Sequence, residues 1–431
     1  MKKSYYDTVN RHPYEDHFND SNLMYITNYD NSIILDLIDS FFSICYYDFY
    51  TERNEDSGKI INLEIPVNNI DKFNQIKELL DNLIKFMTNG ENWNITFRKC
   101  EEQKQIKLTP QLPLCYDYNS VALLSGGLDA LSGSTQEFNN NTIFVTYASN
   151  KVEKNKAINA YKNYITKYCR NSAHVIINKK IFKDQTHLTQ RTRSLIFLAS
   201  CFIYADYFKI DKIKIYENGI MTLNPTFFFR RKVTRTTHPK TLYFINKILE
   251  VLEINFRIVN PFNYLTKAEV IDLIPNDWNP LIKETKTCSK MPGTEAFQNF
   301  NGKGYNHCGI CTACILRQIS ILNSKKYGMD VDYILPDEIL SYKKIIKYET
   351  DNGDTSNPTN IQKYSSYRYI EKNSLIQYYT LYKNSIENGT IYKYLNLNPK
   401  YFLEDKNYIK KYDRMLTKFA LEIDSYLKRM K

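Results

Sequence analysis

No stretch of this sequence stays apolar long enough to cross a membrane. The longest apolar run, residues 195–205, has roughly half of the ~20 residues that a spanning helix needs. Ser200 and Cys201 interrupt it, so it predicts a buried helix. The first residues, MKKSYYDTVNRHPYEDHF, carry no apolar core of the kind that marks a secretory signal. The expectation is a cytoplasmic protein with no membrane partner. Internal repeats and low-complexity tracts are also lacking. A disulfide framework is not expected either: Cys45, Cys100, Cys115, Cys169 and Cys201 stand singly, mostly beside apolar residues, and read as small buried hydrophobes.

What is present suits a globular chain with a real core. Of 431 residues, 43% are hydrophobic and 24% charged, which predicts two or three compact units. The net charge of +11 fits phosphate-bearing ligands or nucleic acid, and fits a solvated lysine-rich surface equally well.

The chain reads in three parts. Residues 1–115 predict an α+β unit. Residues 61–67 and 93–97 alternate in apolar character as half-buried strands do, and Ile70, Phe73, Ile76, Leu80, Leu83 and Met87 recur at helical spacing between them. Residues 116–325 change rhythm. Short apolar, β-branched runs at 121–124, 143–147, 175–177, 213–216 and 256–259 alternate with helical patterns at 152–168, 192–207, 242–252 and 267–274. That alternation predicts an α/β fold with a doubly wound parallel sheet, whose ligands sit at the carboxyl ends of the strands. The polar stretch 349–360 predicts a loop or linker, within a mainly helical region 326–431.

The most informative segment is VALLSGGLDALSG, residues 121–133. A strand runs into Ser125-Gly126-Gly127-Leu128-Asp129 and then a helix. Two glycines let the backbone fold so that several N–H groups point at one spot, beside the partial positive charge of a helix start. Ser125 can donate to a phosphate oxygen. Asp129 can cap the helix or hold Mg2+ near the phosphates. A plain strand-to-helix turn is the bland alternative. SGGLD resembles the SGGxDS loop of the PP-loop ATP pyrophosphatases, which cleave ATP to AMP and pyrophosphate while adenylating a substrate oxygen. Here Ala130 replaces the closing serine. One hydroxyl-to-phosphate contact is thereby lost, worth about 1.5–3 kcal/mol, while the backbone nest is kept.

Cys308, Cys311 and Cys314 follow one another at x2 spacing, with Cys288 upstream. Three close thiolates and a distant one suit a closed, tetrahedral, structural Zn2+ site, with an iron–sulfur cluster as the alternative. His307 is a fifth candidate ligand. The pattern Cys…Cys-Gly-x-Cys-x-x-Cys followed by Arg317 resembles the zinc site of the QueC family of 7-deazaguanine enzymes, with a longer first gap. RTRSLIFLAS (191–200) is similar to that family's arginine-containing helix, and NPFNYLTKAEV (260–270) to its proline, then Thr-Lys, segment. The resemblance covers residues 119–321. It implies the adenine nucleotide alpha hydrolase-like fold and adenylation of the carboxylate of 7-carboxy-7-deazaguanine by ATP. Ser125, Gly126, Gly127, Leu128 and Asp129 hold the pyrophosphate end in this reading, and Asp129, Arg193 and Lys267 act on phosphate or carboxylate charge.

Residues 227–239, FFFRRKVTRTTHP, depart from that family. They are strongly basic beside a triple Phe, and read equally as a groove for an acidic or nucleic-acid partner and as a solvated loop. With Ala130 and the two flanking regions, they resemble the QueC-like branch of antiphage defence systems, the QatC type. That branch implies joining of the activated deazaguanine to the amino group of a protein acceptor encoded in the same operon. Two other functions stand beside it: a PP-loop enzyme that modifies tRNA, and a non-catalytic nucleotide sensor.

Overall fold

The computed structural model describes residues 29–51, 60–101, 117–148, 151–177, 191–225, 234–285, 287–290, 297–300, 307–336, 341–352, 358–402 and 405–429. Cys115 and residues 227–233 of the basic stretch lie outside them. Among the described residues no helix is long and apolar enough to cross a membrane.

The first helix among the described residues is α1 (Ser32–Tyr50), started by Asn31, whose side chain accepts from Ile34 N–H. Strands β1 (Ile61–Val67) and β2 (Trp93–Lys99) pair in parallel, joined by helix α2 (Ile70–Met87). Phe73, Ile76, Leu80, Leu83 and Met87 are buried on one face of α2, as their spacing predicts. Helix α1 was not legible, because it is buried nearly all round and carries aspartates inside. Asp36 accepts from the backbone and side-chain N–H of Asn68 at 2.6 and 2.9 Å, and Asp48 accepts from Thr192 N–H and hydroxyl at 3.1 and 2.7 Å. Buried carboxylates of this kind are tolerated because they are hydrogen-bonded.

The central sheet is wholly parallel. β3 (Ser120–Leu123), β4 (Thr142–Tyr147), β5 (Ala173–Ile177), β6 (Lys212–Lys214) and β7 (Arg257–Val259) stand in the order β5-β4-β3-β6-β7. This is the expected α/β architecture with a parallel sheet, compatible with a Rossmann-like fold. Side chains alternate across it. Val121, Ile143 and Val145 join α1, β1, α2 and helix α4 (Pro239–Val251) in one core, while Ala122, Phe144, Leu128 and Trp278 build the core of the other face. The strand order reverses between β3 and β6, so a crevice opens at their carboxyl ends. Helix α3 (Leu128–Ser134) leaves β3 there.

Two expected helices are modified. The 192–207 pattern divides into Ser194–Ala199 and Phe202–Tyr207, and the 152–168 pattern contains a π-type turn at Tyr161–Ile165. Helix α5 (Lys267–Ile271) returns to the crevice, and helix α6 (Thr312–Leu322) follows the last cysteines. The polar stretch 349–360, expected as a loop or linker, is helical at both of its described ends. Residues 349–352 end helix α7 (Tyr342–Asn352), residues 358–360 begin helix α8 (Pro358–Glu387), and 353–357 lie outside the described residues. Glu349 is helical and wholly buried because it pairs with equally buried Arg368, a partner that reading along the chain cannot see. The last helix, α9 (Tyr408–Arg429), packs with α8 over Ile220, Leu223, Ile315 and Ile319.

Candidate functional site

The loop after β3 is shaped by its glycines. Gly126 has φ +73, which costs an L-residue strain, and a Cβ there would also lie 3.3 Å from the Ala157 nitrogen. Gly127 is the N-cap of α3 and has no side chain to cap with, so the first N–H groups of the helix have no intrahelical partner. Ser125 is exposed, and its Oγ accepts from Gly127 N–H at 3.4 Å. Leu128 turns its side chain into the core, which leaves only its backbone to the crevice. Ala130 is also buried. A relay braces the loop from behind. The Thr146 hydroxyl donates to Leu124 O at 2.5 Å and therefore accepts from His174 Nε2 at 2.8 Å. Burial pushes the His174 imidazole down to about 3, so it is neutral.

Asp129 and Lys267, far apart in sequence, meet at this crevice. Lys267 Nζ donates to Asp129 Oδ1 at 2.5 Å, and both side chains are largely buried. Asp129 Oδ2 accepts from Asn218, through the backbone N–H at 3.3 Å and the side-chain amide at 2.7 Å. Asn218 follows β6, and its own Oδ1 caps the helix Gly219–Leu223. Lys267 opens α5 behind a capping box, in which Thr266 Oγ1 accepts from Glu269 N–H at 3.3 Å and Glu269 Oε2 accepts from Thr266 N–H at 2.8 Å. Helix α9 grips that box. Thr266 Oγ1 donates to Glu422 Oε1 at 2.6 Å, and Arg414 and Lys418 hold Glu269 at 2.6 and 3.1 Å.

Glu217, next to Asn218, was missed in the sequence, although Glu-Asn-Gly directly after a predicted strand was a usable signal. It is half-buried and accepts from the Thr237 hydroxyl at 2.6 Å. Burial, with help from the Asp129 charge, pushes its carboxyl up to about 7.

Arg193 stands at the start of the helix Ser194–Ala199, with its guanidinium 5.2 Å from the Phe197 ring centre and its charge felt by the Cys45 thiol of α1. These contacts are on the α1 side of the sheet. The structure thus brings Asp129 and Lys267 together with the loop and gives Arg193 different neighbours.

The four clustered cysteines form a second centre. All are buried, and their sulfurs lie within 4.8 Å of one another, with separations of 3.6 Å (Cys288–Cys308), 3.9 Å (Cys308–Cys314) and 3.9 Å (Cys288–Cys311). Four sulfurs at about 2.3 Å from one zinc ion are about 3.8 Å apart in a tetrahedron. The set could therefore hold a metal ion and is compatible with zinc. His307 is not needed as a ligand: its Nε2 accepts from Thr287 N–H at 3.1 Å. Gly309 (φ +77) makes the turn between the ligands, where any Cβ would strike Leu335 O at 2.0 Å. Arg317, wholly buried, fastens the surroundings by donating to Asp330, Thr285, Thr287 and Ile282 O.

Comparison with protein-family models, curated proteins and solved structures returned no match.

Proposed function

We propose that the chain is an AMP-forming, ATP-dependent enzyme of the PP-loop type that adenylates the carboxylate of a 7-carboxy-7-deazaguanine-like substrate. The observation that carries this reading is the Ser125–Asp129 loop at the reversal of strand order, with Lys267 drawn to the same place. A carboxylate is inert to amines until its oxygen is bound to AMP, and such catalysis comes mainly from positioning and from neutralising phosphate charge. The N–H groups of Gly126, Gly127 and Leu128 and the Ser125 hydroxyl receive the pyrophosphate end. Lys267 supplies positive charge, held in place by Asp129. Both oxygens of Asp129 are engaged by the chain's own donors, so Mg2+ enters as a companion of the ATP phosphates. The cysteine centre is closed by four protein ligands, and its part is structural. The activated group is passed to ammonia, giving an amide whose oxygen a second molecule of ATP activates and removes with AMP to leave a nitrile, or to the amino group of a protein acceptor, as in the antiphage branch that the sequence resembles.

The decisive assay supplies ATP and 7-carboxy-7-deazaguanine and measures AMP and pyrophosphate. AMP formed only with that substrate supports the reading, and the product mass separates nitrile from conjugate. ATP binding without AMP, in zinc-loaded and folded protein, overturns it in favour of a nucleotide sensor, the reading that Ala130 favours. Weighing the other way, Ala130 packs in the apolar core beside the loop, and the backbone N–H groups that open α3 are kept.

A further inference from the structure

We infer that Glu217 takes the proton from the attacking amine when the activated carboxyl carbon passes from AMP to nitrogen. The inference rests on the adenylation reading above and assigns a residue to its second half-reaction.

Position is the first ground. Glu217 follows β6 at the reversal of strand order, next to the residue that holds Asp129. Its backbone is fixed. Glu217 N–H donates to Asn260 Oδ1 at 3.3 Å, and Glu217 O accepts from Asn260 Nδ2 at 2.8 Å and from the Thr222 hydroxyl at 3.4 Å. The carboxylate is aimed through Oε2 by Thr237, while Oε1 accepts no hydrogen bond among the described residues.

Contrast with Glu137 is the second ground. That wholly buried carboxylate is a structural one. It accepts from Ser120, Asn140, Thr142, Lys214 and Tyr216, and although burial alone would raise it, those partners hold it below the usual range. Glu217 makes no ion pair among the described residues. The charges that face it are Asp129 on α3 and Lys267 on α5, and Lys267 is bonded to Asp129. A glutamine would satisfy Thr237 as well as a glutamate does, so the hydrogen bonding alone does not call for a charge. A carboxyl that titrates near 7 is half ionised at neutral pH and strong enough as a base to receive a proton there.

The step balances without a further reactant. The amine lone pair forms the C–N bond, the C–O bond to AMP breaks with its electrons left on the AMP phosphate oxygen, and one N–H proton passes to Glu217 Oε1.

The test separates the half-reactions. Adenylation is followed by carboxylate-dependent ATP–pyrophosphate exchange. Transfer is followed in single turnover with ammonium chloride, with free ammonia held constant across pH 5.5–8.5. Glu217→Gln is expected to slow transfer about 100-fold, within the usual range for general-base catalysis, and to slow exchange less than about threefold. Wild-type transfer should fall as pH drops through about 7, and Glu217→Gln should abolish that limb. Thr237→Val, which removes a hydrogen bond to the ionised form, should move the limb to higher pH. Transfer by Glu217→Gln at the wild-type rate with the limb intact overturns the proposal. So does equal loss in both half-reactions, the mark of a structural role. A wild-type protein with neither exchange nor transfer overturns the adenylation reading, and this one with it.

Discussion

Lys267 and Asp129 have surrendered most of their hydration to each other, and a buried pair is costly to break from one side only. Lys267→Met leaves Asp129 without its cation, and the expected loss is about 3 kcal/mol. Adding Asp129→Asn should restore part of that stability, since the uncompensated charge is then gone, while AMP formation stays lost. Urea unfolding and the AMP assay on the same proteins check both halves. Glu422 behaves differently. Burial pushes it up to about 7, its Oε1 accepts from Thr266, and its Oε2 has no partner among the described residues. A carboxyl whose folded value lies above its unfolded value stabilises the fold when protonated. That contribution is complete below about pH 4.5 and disappears as pH rises through about 7. The Glu422 contribution should therefore decline between pH 5 and pH 7, against the gain that the buried neutral His174 and His238 bring over the same range, and Glu422→Gln should remove that loss and tilt the pH dependence of the midpoint upward relative to the wild type. A Glu422→Gln protein whose midpoint follows the wild-type pH dependence would count against this account.

At the scale of elements, the sheet must protect its last strand. β7 bonds β6 through Arg257 and Val259, so the N–H and C=O of Ile258 face outward. Asn246 of α4 meets both. Its Oδ1 accepts from Ile258 N–H at 2.8 Å, and its Nδ2 donates to Ile258 O at 3.0 Å, standing in for a neighbouring strand. Asn246→Ala should cost about 1–3 kcal/mol and promote concentration-dependent association through the bared edge, visible by light scattering. The elements that reading along the chain finds are those whose signal is local. The strand runs, the glycine loop and the cysteine spacing are of that kind, because periodicity and turn chemistry act over a few residues. The elements it loses depend on distant partners. Helix α1 hides Asp36 and Asp48, whose donors lie on other elements, and α7 carries the start of a polar stretch as helix around the Glu349–Arg368 pair. The site divides the same way. Ser125 to Asp129 and Lys267 are legible as motifs. Glu217, Asn218 and Glu422 gain meaning only once β6 lies beside β3 and α9 reaches the capping box.

Across the whole molecule, the cysteine centre and the crevice are joined through the C-terminal helices. α8 is fastened to the cysteine region by Lys372 donating to Pro336 O at 2.6 Å, by Glu371 pairing with Lys290 at 3.1 Å, and by Arg368 lying 5.2 Å from the Phe300 ring centre. α8 packs on α9 through Tyr382 and Phe419, rings 5.3 Å apart. α9 in turn holds Thr266 and Glu269, which set the start of the helix bearing Lys267. A metal at the four cysteines would therefore support Lys267 by two routes, through α8 and α9 and through α6, which carries Cys314 and packs on α5. Purified protein should contain one zinc per chain by elemental analysis, and Cys308→Ser should lower that content sharply, since three thiolates leave the tetrahedron open. Stripping the metal with a chelator should raise amide hydrogen exchange first in α7 and α8, then in α9 and at residues 266–269, with AMP formation falling as the last of these loosens. If α7 and α8 lose protection while α9 and residues 266–269 keep theirs and activity persists, the helices are not the link. The cysteine centre then stabilises only its own surroundings.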